Sequence, residues 1–284
     1  MKSVVVTGVS TGIGHGATRV LIDKGLHVFG SVRKQADADR LAAEFGDNFT
    51  PLLFDVTDEA AIGRAALQVR DALDGETLFG LVNNAGVAAP GPMLEMDPRE
   101  FHQQLAINLE GPFLVVQAFA PLLGVDDSLK GEPGRIINIS SIAGVRALPF
   151  LGAYAASKFG LEGYSEALRR ELLLFGIDVV VIGPGPVKTS IWDKAEEIDT
   201  SRYENSPYAP LLERFQKAFV IKGRNGYSQE RLGQLIHKAL TTPRPKVRYA
   251  AVKSGIVEKL MLALAPPRMI DRVIGKAVGL LPDK

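Results

Sequence analysis

Short, mostly apolar runs recur along the chain: Val4 to Val6, Val28 to Val32, Leu52 to Phe54, Leu78 to Val82, Arg135 to Ile139, Asp178 to Ile182 and Val247 to Ala251. Runs this short, without regular polar alternation, suit strands covered on both faces. Longer stretches with helical spacing lie between them, over 13–25, 36–45, 58–73, 98–122, 153–175 and 229–241. Strand then helix, repeated, predicts one α/β domain over 1–284: a doubly wound, seven-stranded parallel sheet with helices on both faces. Residues 184–228 break the rhythm with several prolines and glycines, and read as a long loop of the kind that closes over a substrate. Residues 255–284 form a separate apolar and basic tail. That tail reads as a cap or packing element. Its rival reading is a helix making weak contact with an anionic membrane surface.

Composition removes several classes of chemistry. The 284 residues include 46% hydrophobic positions, enough for a sizeable core. Lys and Arg number 33 against 32 Asp and Glu, so no global field favours nucleic acid, and no nucleic-acid partner is expected. Cysteine is absent, which excludes disulfides, thiol catalysis and cysteine-bound zinc. His15, His27, His102 and His237 are too scattered to suggest a metal pair, so no metal is expected. No apolar run approaches the ~18 residues that span a bilayer. The N-terminus enters an apolar run at once, without a secretory signal, which predicts a cytoplasmic location.

Thr7-Gly8-Val9-Ser10-Thr11-Gly12-Ile13-Gly14 follows the first strand and opens the first helix. Gly8 permits a tight bend, Gly12 lets the backbone approach a pyrophosphate, and Gly14 lets helix and strand pack closely. Ser10, Thr11 and Ile13 complete the turn, and the helix N-terminus supplies free N–H groups. At the end of the second strand, where an acid would bind the ribose of NAD, stand Arg33 and Lys34. Arg33 can pair with a 2′-phosphate, so NADP is expected over NAD.

Tyr154 and Lys158 are four apart at the start of a helical stretch and share a face. A second Tyr-x-x-x-Lys, Tyr249 to Lys253, serves as a control. Ser141 precedes Tyr154 by thirteen residues, whereas Ile236 precedes Tyr249 by the same interval. The first copy is therefore read as catalytic and the second as structural. With the glycine turn, Asp55, Asn83-Asn84-Ala85-Gly86, Asn108, Ser141, Tyr154, Lys158 and Pro184-Gly185 followed by Thr189, the chain resembles the short-chain dehydrogenase/reductase family over about residues 1–250. It is most similar to the subset that contains hydroxysteroid and retinol dehydrogenases. The resemblance implies a Rossmann-type fold, with Asp55, Val56, Asn83, Ala85 and Gly86 around the adenine. It implies that Pro184, Gly185, Val187 and Thr189 line the nicotinamide. Lys158 would also hold the nicotinamide ribose, and Asn108 would hold a water that links Lys158 to solvent. Homodimers or homotetramers formed through helices near 98–122 and 153–175 are common in the family.

The chemistry can be reasoned from the side chains. Hydride reaching a carbonyl carbon leaves charge on oxygen, which needs a proton. A phenol with its reference pKa of about 10 exchanges protons slowly near neutrality, and a nearby ammonium is expected to lower that pKa. Tyr154 is thus the candidate acid/base, Lys158 its tuning charge and Ser141 the group that orients the substrate oxygen. The branch that contains sugar epimerases has glycine where Thr11 stands, and enoyl reductases place the lysine farther from the tyrosine. A carbonyl/alcohol couple is preferred. Ala147 to Gly152, with Ile191, Trp192, Tyr203 and Tyr208, would line a site for a bulky apolar carbonyl or alcohol, steroid-, retinoid- or long-chain-like. A ketoacyl or small-carbonyl reductase is the nearest rival, and a non-catalytic NADP-binding regulator or scaffold is the rival of another class.

Overall fold

The computed structural model describes residues 1–188, 201–251 and 265–281. Its sheet is parallel throughout, in the order β3-β2-β1-β4-β5-β6-β7. The strands are β1 Ser3–Val6, β2 His27–Val32, β3 Phe49–Leu53, β4 Gly80–Asn83, β5 Arg135–Ile139, β6 Asp178–Pro184 and β7 Arg248–Ala251. The central β1 has lost all solvent contact at Val4, Val5 and Val6. Such a strand shows neither face to water, which is why its run carries no polar alternation.

Two apolar layers sandwich the sheet. One face carries α1 (Gly12–Asp23), α2 (Gln35–Phe45) and a later helix, Gln229–Thr241, around Leu21, Leu41 and Ile236. The other carries α3 (Glu59–Leu73), α4 (Pro98–Leu105), α5 (Gly111–Phe119) and α6 (Gly152–Glu171), around Ile62, Phe119 and Leu123. Strand order reverses between β1 and β4, and the crevice beyond the carboxyl ends of the strands at such a switch point is where open α/β sheets bind their ligands.

Three elements differ from the sequence expectation. β3 begins at Phe49, earlier than Leu52, because Thr50 and Pro51 interrupt its apolar run. Proline is tolerated there since β3 is an edge strand. The helix expected over 98–122 is split by a π-helical turn, Ala106–Glu110. Pro112 has no N–H to give to the carbonyl of Asn108, four residues back, and its ring crowds that turn, so the backbone widens. Within 184–228 lies a 16-residue helix, α7 (Ala209–Arg224). Pro210 sits in its first turn, where the missing donor has no helical partner to lose. The helix Gln229–Thr241 is then α8, and α9 (Pro267–Val278) forms part of the tail. Leu211 and Leu212 of α7, together with Val278 and Leu280, join a third cluster built on Phe150 and Tyr203. No helix among the described residues is long and apolar enough to cross a membrane.

Candidate active site

The glycine turn is held from three sides. Gly8 and Gly12 have φ of +69° and +67°, the left-handed region that suits glycine. A Cβ on Gly14 would overlap the carbonyl oxygen of Gly8 and the Asn84 amide, so glycine there sets how closely α1 approaches the turn. Asn84 Nδ2 donates to the carbonyls of Thr7 (2.8 Å) and Gly8 (3.0 Å). The Thr7 hydroxyl accepts from the backbone N–H groups of Asn84 and Ala85, both at 2.9 Å. The Gly8 N–H donates to Ser31 Oγ at 2.9 Å, and Arg40 donates to the Ser10 carbonyl at 2.8 Å. Thr11 is the N-cap of α1 but makes no side-chain capping bond, and the first turn carries no acid. An uncapped helix N-terminus next to a glycine bend is a fitting cradle for a nucleotide pyrophosphate.

Arg33 leaves the end of β2 with its side chain 70% exposed, and its guanidinium lies 3.7 Å from Asp55. Asp55 is otherwise occupied by the N–H and hydroxyl of Thr57. Val56 is buried, against Gly111. The Asn83 side chain turns into the sheet and donates to Asn138 Oδ1 at 2.9 Å, while its own Oδ1 is buried without a partner among the described residues. Ala85 and Gly86 continue from it, and a Cβ on Gly86 would lie 3.1 Å from Asn108 Oδ1 and 3.6 Å from Lys158 Nζ. Pro184 ends β6, and the Gly185 N–H bonds the Ala251 carbonyl at 2.8 Å. Val187 is buried and pairs with Tyr227 as an isolated bridge. Thr189, Ile191 and Trp192 lie outside the described residues.

Ser141, Tyr154 and Lys158 come together at the carboxyl end of β5. Ser141 caps a short 3-10 turn, Ile142–Gly144, and accepts from the Ala143 N–H at 3.1 Å. Its side chain also faces the Tyr154 phenol and favours its ionised form. Lys158, 4% exposed, donates to the Ile139 carbonyl at 2.9 Å, with Nζ 5.9 Å from the Tyr154 ring centre. Burial brings its pKa down to about 8, and the charge of Glu162 opposes that shift. Burial pushes the Tyr154 phenol up, and Ser141 acts the other way. The sequence expectation of a depressed phenol pKa is thus outweighed here by desolvation. Asn108 sits in the π-helical turn with no exposed surface. Its Oδ1 accepts from the Val87 N–H, while Nδ2 donates to the Val87 carbonyl, both at 2.8 Å, and to Ser157 Oγ at 3.0 Å. This amide fastens the irregular segment after β4 to α6.

Tyr249 stands apart. It lies in the edge strand β7, and its hydroxyl accepts from the Lys246 N–H at 3.1 Å. Several residues around the site carry roles that the sequence reading does not assign. Thr7 and Asn84 stand in the motifs read from the sequence, yet their bracing of the turn together with Ser31 is not separable, in a lone sequence, from ordinary polar strand ends. Arg40 reads as a surface position of α2. Glu162 carried the one usable signal, its place four residues beyond Lys158 on the same helix face. No group of acids and histidines suited to a metal occurs among the described residues.

Comparison with known proteins agrees with this geometry. The family model "short chain dehydrogenase" matches residues 2–199. An NADPH-dependent 3-dehydrocapnine reductase of Ornithobacterium rhinotracheale is 37% identical over 276 residues, 97% of each chain. Mouse retinol dehydrogenase 16 is 30% identical over 96% of this chain and 87% of its own. A short-chain dehydrogenase structure from Streptomyces avermitilis superposes with a TM-score of 0.74 at 25% identity, over 100% of this chain and 98% of that one. Family match, sheet order and the Ser-Tyr-Lys cluster agree: the chain belongs to the short-chain dehydrogenase/reductase family of nicotinamide-dependent oxidoreductases.

Proposed function

We propose that the chain is an NADP-dependent reductase of bulky apolar carbonyl compounds, with Tyr154 as the proton donor. The observation that carries the reading is the convergence of Ser141, Tyr154 and Lys158 beside the crevice at the β1/β4 reversal. The glycine turn, the α1 N-terminus, Arg33 and Lys158 would hold the cofactor, with Asp55, Val56, Asn83, Ala85 and Gly86 toward the adenine end. Pro184, Gly185, Val187 and Thr189 would lie toward the nicotinamide. When bound, the cofactor supplies the hydride. Ser141 donates a hydrogen bond to the carbonyl oxygen and orients it. Tyr154 then gives that oxygen its phenolic proton. Lys158 stabilises the phenolate left behind, and a water at Asn108 would return a proton to the pair from solvent.

The exposed guanidinium of Arg33 and the NADPH-dependent relative both support NADP. A bulky apolar substrate is supported by the Phe150–Tyr203–Leu212 cluster, in which the segment before Tyr154 meets the lid. Exposed Phe113 on α5 and Phe159 on α6 support self-association through these helices as a homodimer or homotetramer. The packing of tail residues on α7 supports a cap over a membrane contact, and a cytoplasmic location fits this reading. The test is isotopic. Wild-type protein with a long-chain ketone and NADPH deuterated at nicotinamide C4 is expected to yield an alcohol deuterated at the carbinol carbon. Absence of labelled alcohol across aliphatic, aromatic and steroid-like ketones overturns the reading.

A further inference from the structure

Behind the catalytic helix lies an ion pair that no step above uses. Glu162 follows Lys158 by one helical turn on α6, and Arg248 is the first residue of β7. Arg248 grips the carboxylate through two nitrogens, with Nε 3.1 and 3.0 Å from its two oxygens and Nη2 3.0 Å from one of them. Nη2 also points at the carbonyl oxygen of Ser141, 3.4 Å away. The Arg248 and Glu162 side chains are 27% and 17% exposed, so the pair is largely withdrawn from water.

Missing side chains make room for it. A Cβ on Gly183, in β6, would overlap the Arg248 guanidinium. A Cβ on Gly144, in the turn that begins at Ser141, would stand 3.0 Å from Glu162 Cγ and 3.0 Å from the Lys158 carbonyl. Two glycines from different elements thus admit one ion pair between β6, β7, α6 and the Ser141 turn. A forked arginine–carboxylate contact fixes orientation as well as charge.

We propose that Glu162 and Arg248 are positioning residues: their ion pair sets the charge felt by Lys158 and fixes the turn that carries Ser141. The groups around Lys158 give this its sense. Tyr154 and Glu162 approach from α6, the Ile139 carbonyl from β5, Asn108 across Gly86 from the π-helical turn, and Arg248 from β7 behind Glu162. Glu162 is the carboxylate in that set. It favours the ammonium, and Arg248 limits how strongly it does so.

The inference rests on Tyr154 as proton donor for its functional meaning, but its test does not depend on turnover. Protein labelled with 13C at the lysine ε carbon is titrated by NMR, with the Lys158 signal assigned by its loss in Lys158→Met. In Glu162→Gln the Lys158 midpoint is expected to fall by about one pH unit, since a neighbouring negative charge is gone. In Arg248→Gln it is expected to rise, by about half a unit, since the carboxylate is no longer offset. A purely structural role gives no such opposite signs. The double variant leaves no unpaired charge and keeps the test open where a single variant does not fold. It is expected to titrate below wild type, because the carboxylate is the nearer charge. Midpoints that stay put, or move in the same direction in both single variants, overturn the proposal, as does a double variant that titrates at or above wild type. Ketone reduction by Tyr154→Phe tests the donor assignment separately. Survival of that activity would sink the donor reading and leave the titration result standing.

Discussion

At the scale of single residues, the proposed chemistry turns on one phenol and one ammonium. Tyr154→Phe removes the exchangeable proton and little else. Ketone reduction should fall by at least about a thousandfold, the order lost when an acid/base group and its alignment go together. NADPH affinity and Tm should stay close to wild type, while Tyr249→Phe should keep most activity. Equal losses in two folded variants would mean that the wrong Tyr-x-x-x-Lys was chosen. Lys158 gives a pH prediction. Its pKa is 10.5 unfolded and about 8 in the folded chain, so between these values the unfolded chain holds the extra proton. Stability therefore rises with pH across that window. Below about pH 8 the buried ammonium carries its full desolvation cost. Urea unfolding of wild type and Lys158→Met at pH 8 and pH 10 should show wild type gaining roughly 2 kcal/mol on the variant. A constant difference contradicts the burial argument.

At the scale of elements, the proposal gives the choice of cofactor to the glycine turn and the end of β2. Gly14→Ala places a methyl group against the Gly8 carbonyl and the Asn84 amide, and backbone cannot yield as a flexible side chain does. A loss of about 1–3 kcal/mol in stability is expected, with weaker NADPH binding, measured by urea unfolding and by cofactor fluorescence. Unchanged binding would show that this close packing does not shape the cradle. Val32→Asp combined with Arg33→Ala adds a ribose acceptor and removes the phosphate partner. The ratio of kcat/KM with NADPH to that with NADH should move toward NADH, and a wild-type enzyme that already prefers NADH contradicts the assignment. Elements were readable from the chain where local pattern and final burial coincide. Val4 to Val6 is such a case, as is the turn from Gly8 to Gly14. They were hidden where proline was compatible with the element it seemed to break. Pro51 sits on an edge strand, Pro112 widens a helix without ending it, and Pro210 opens α7. The positioning pair was hidden for another reason: Glu162 and Arg248 are 86 residues apart and meet only because β7 completes the sheet beside β6.

At the scale of the whole molecule, the proposed function gives the 201–228 stretch and the tail the task of covering Tyr154. Phe150, with φ of +65°, is held in a backbone conformation that costs a non-glycine residue energy. Its ring meets Tyr208 and Phe215 edge-on, at 6.1 and 5.5 Å between centres. Arg202 grips both oxygens of Glu100 at 2.6 and 2.8 Å, and Ser206 bonds Glu95 at 2.8 Å, so the 201–208 stretch is tied to the first turn of α4 and to the segment before it. Val278 and Leu280 of the tail pack on the same cluster. This arrangement joins the apolar segment before α6 to the apolar residues of α7 and the tail, and it is the basis for proposing an apolar substrate. Burying apolar surface contributes roughly 25 cal/mol per Å² at best, so about 100 Å² more substrate surface is worth up to ~2.5 kcal/mol. The most direct test is kcat/KM for NADPH-dependent reduction of a homologous ketone series of rising chain length, below the solubility limit. A rise of up to about two orders of magnitude over that added surface is expected, whereas a flat or falling series would contradict the apolar-substrate reading and point to a small polar carbonyl.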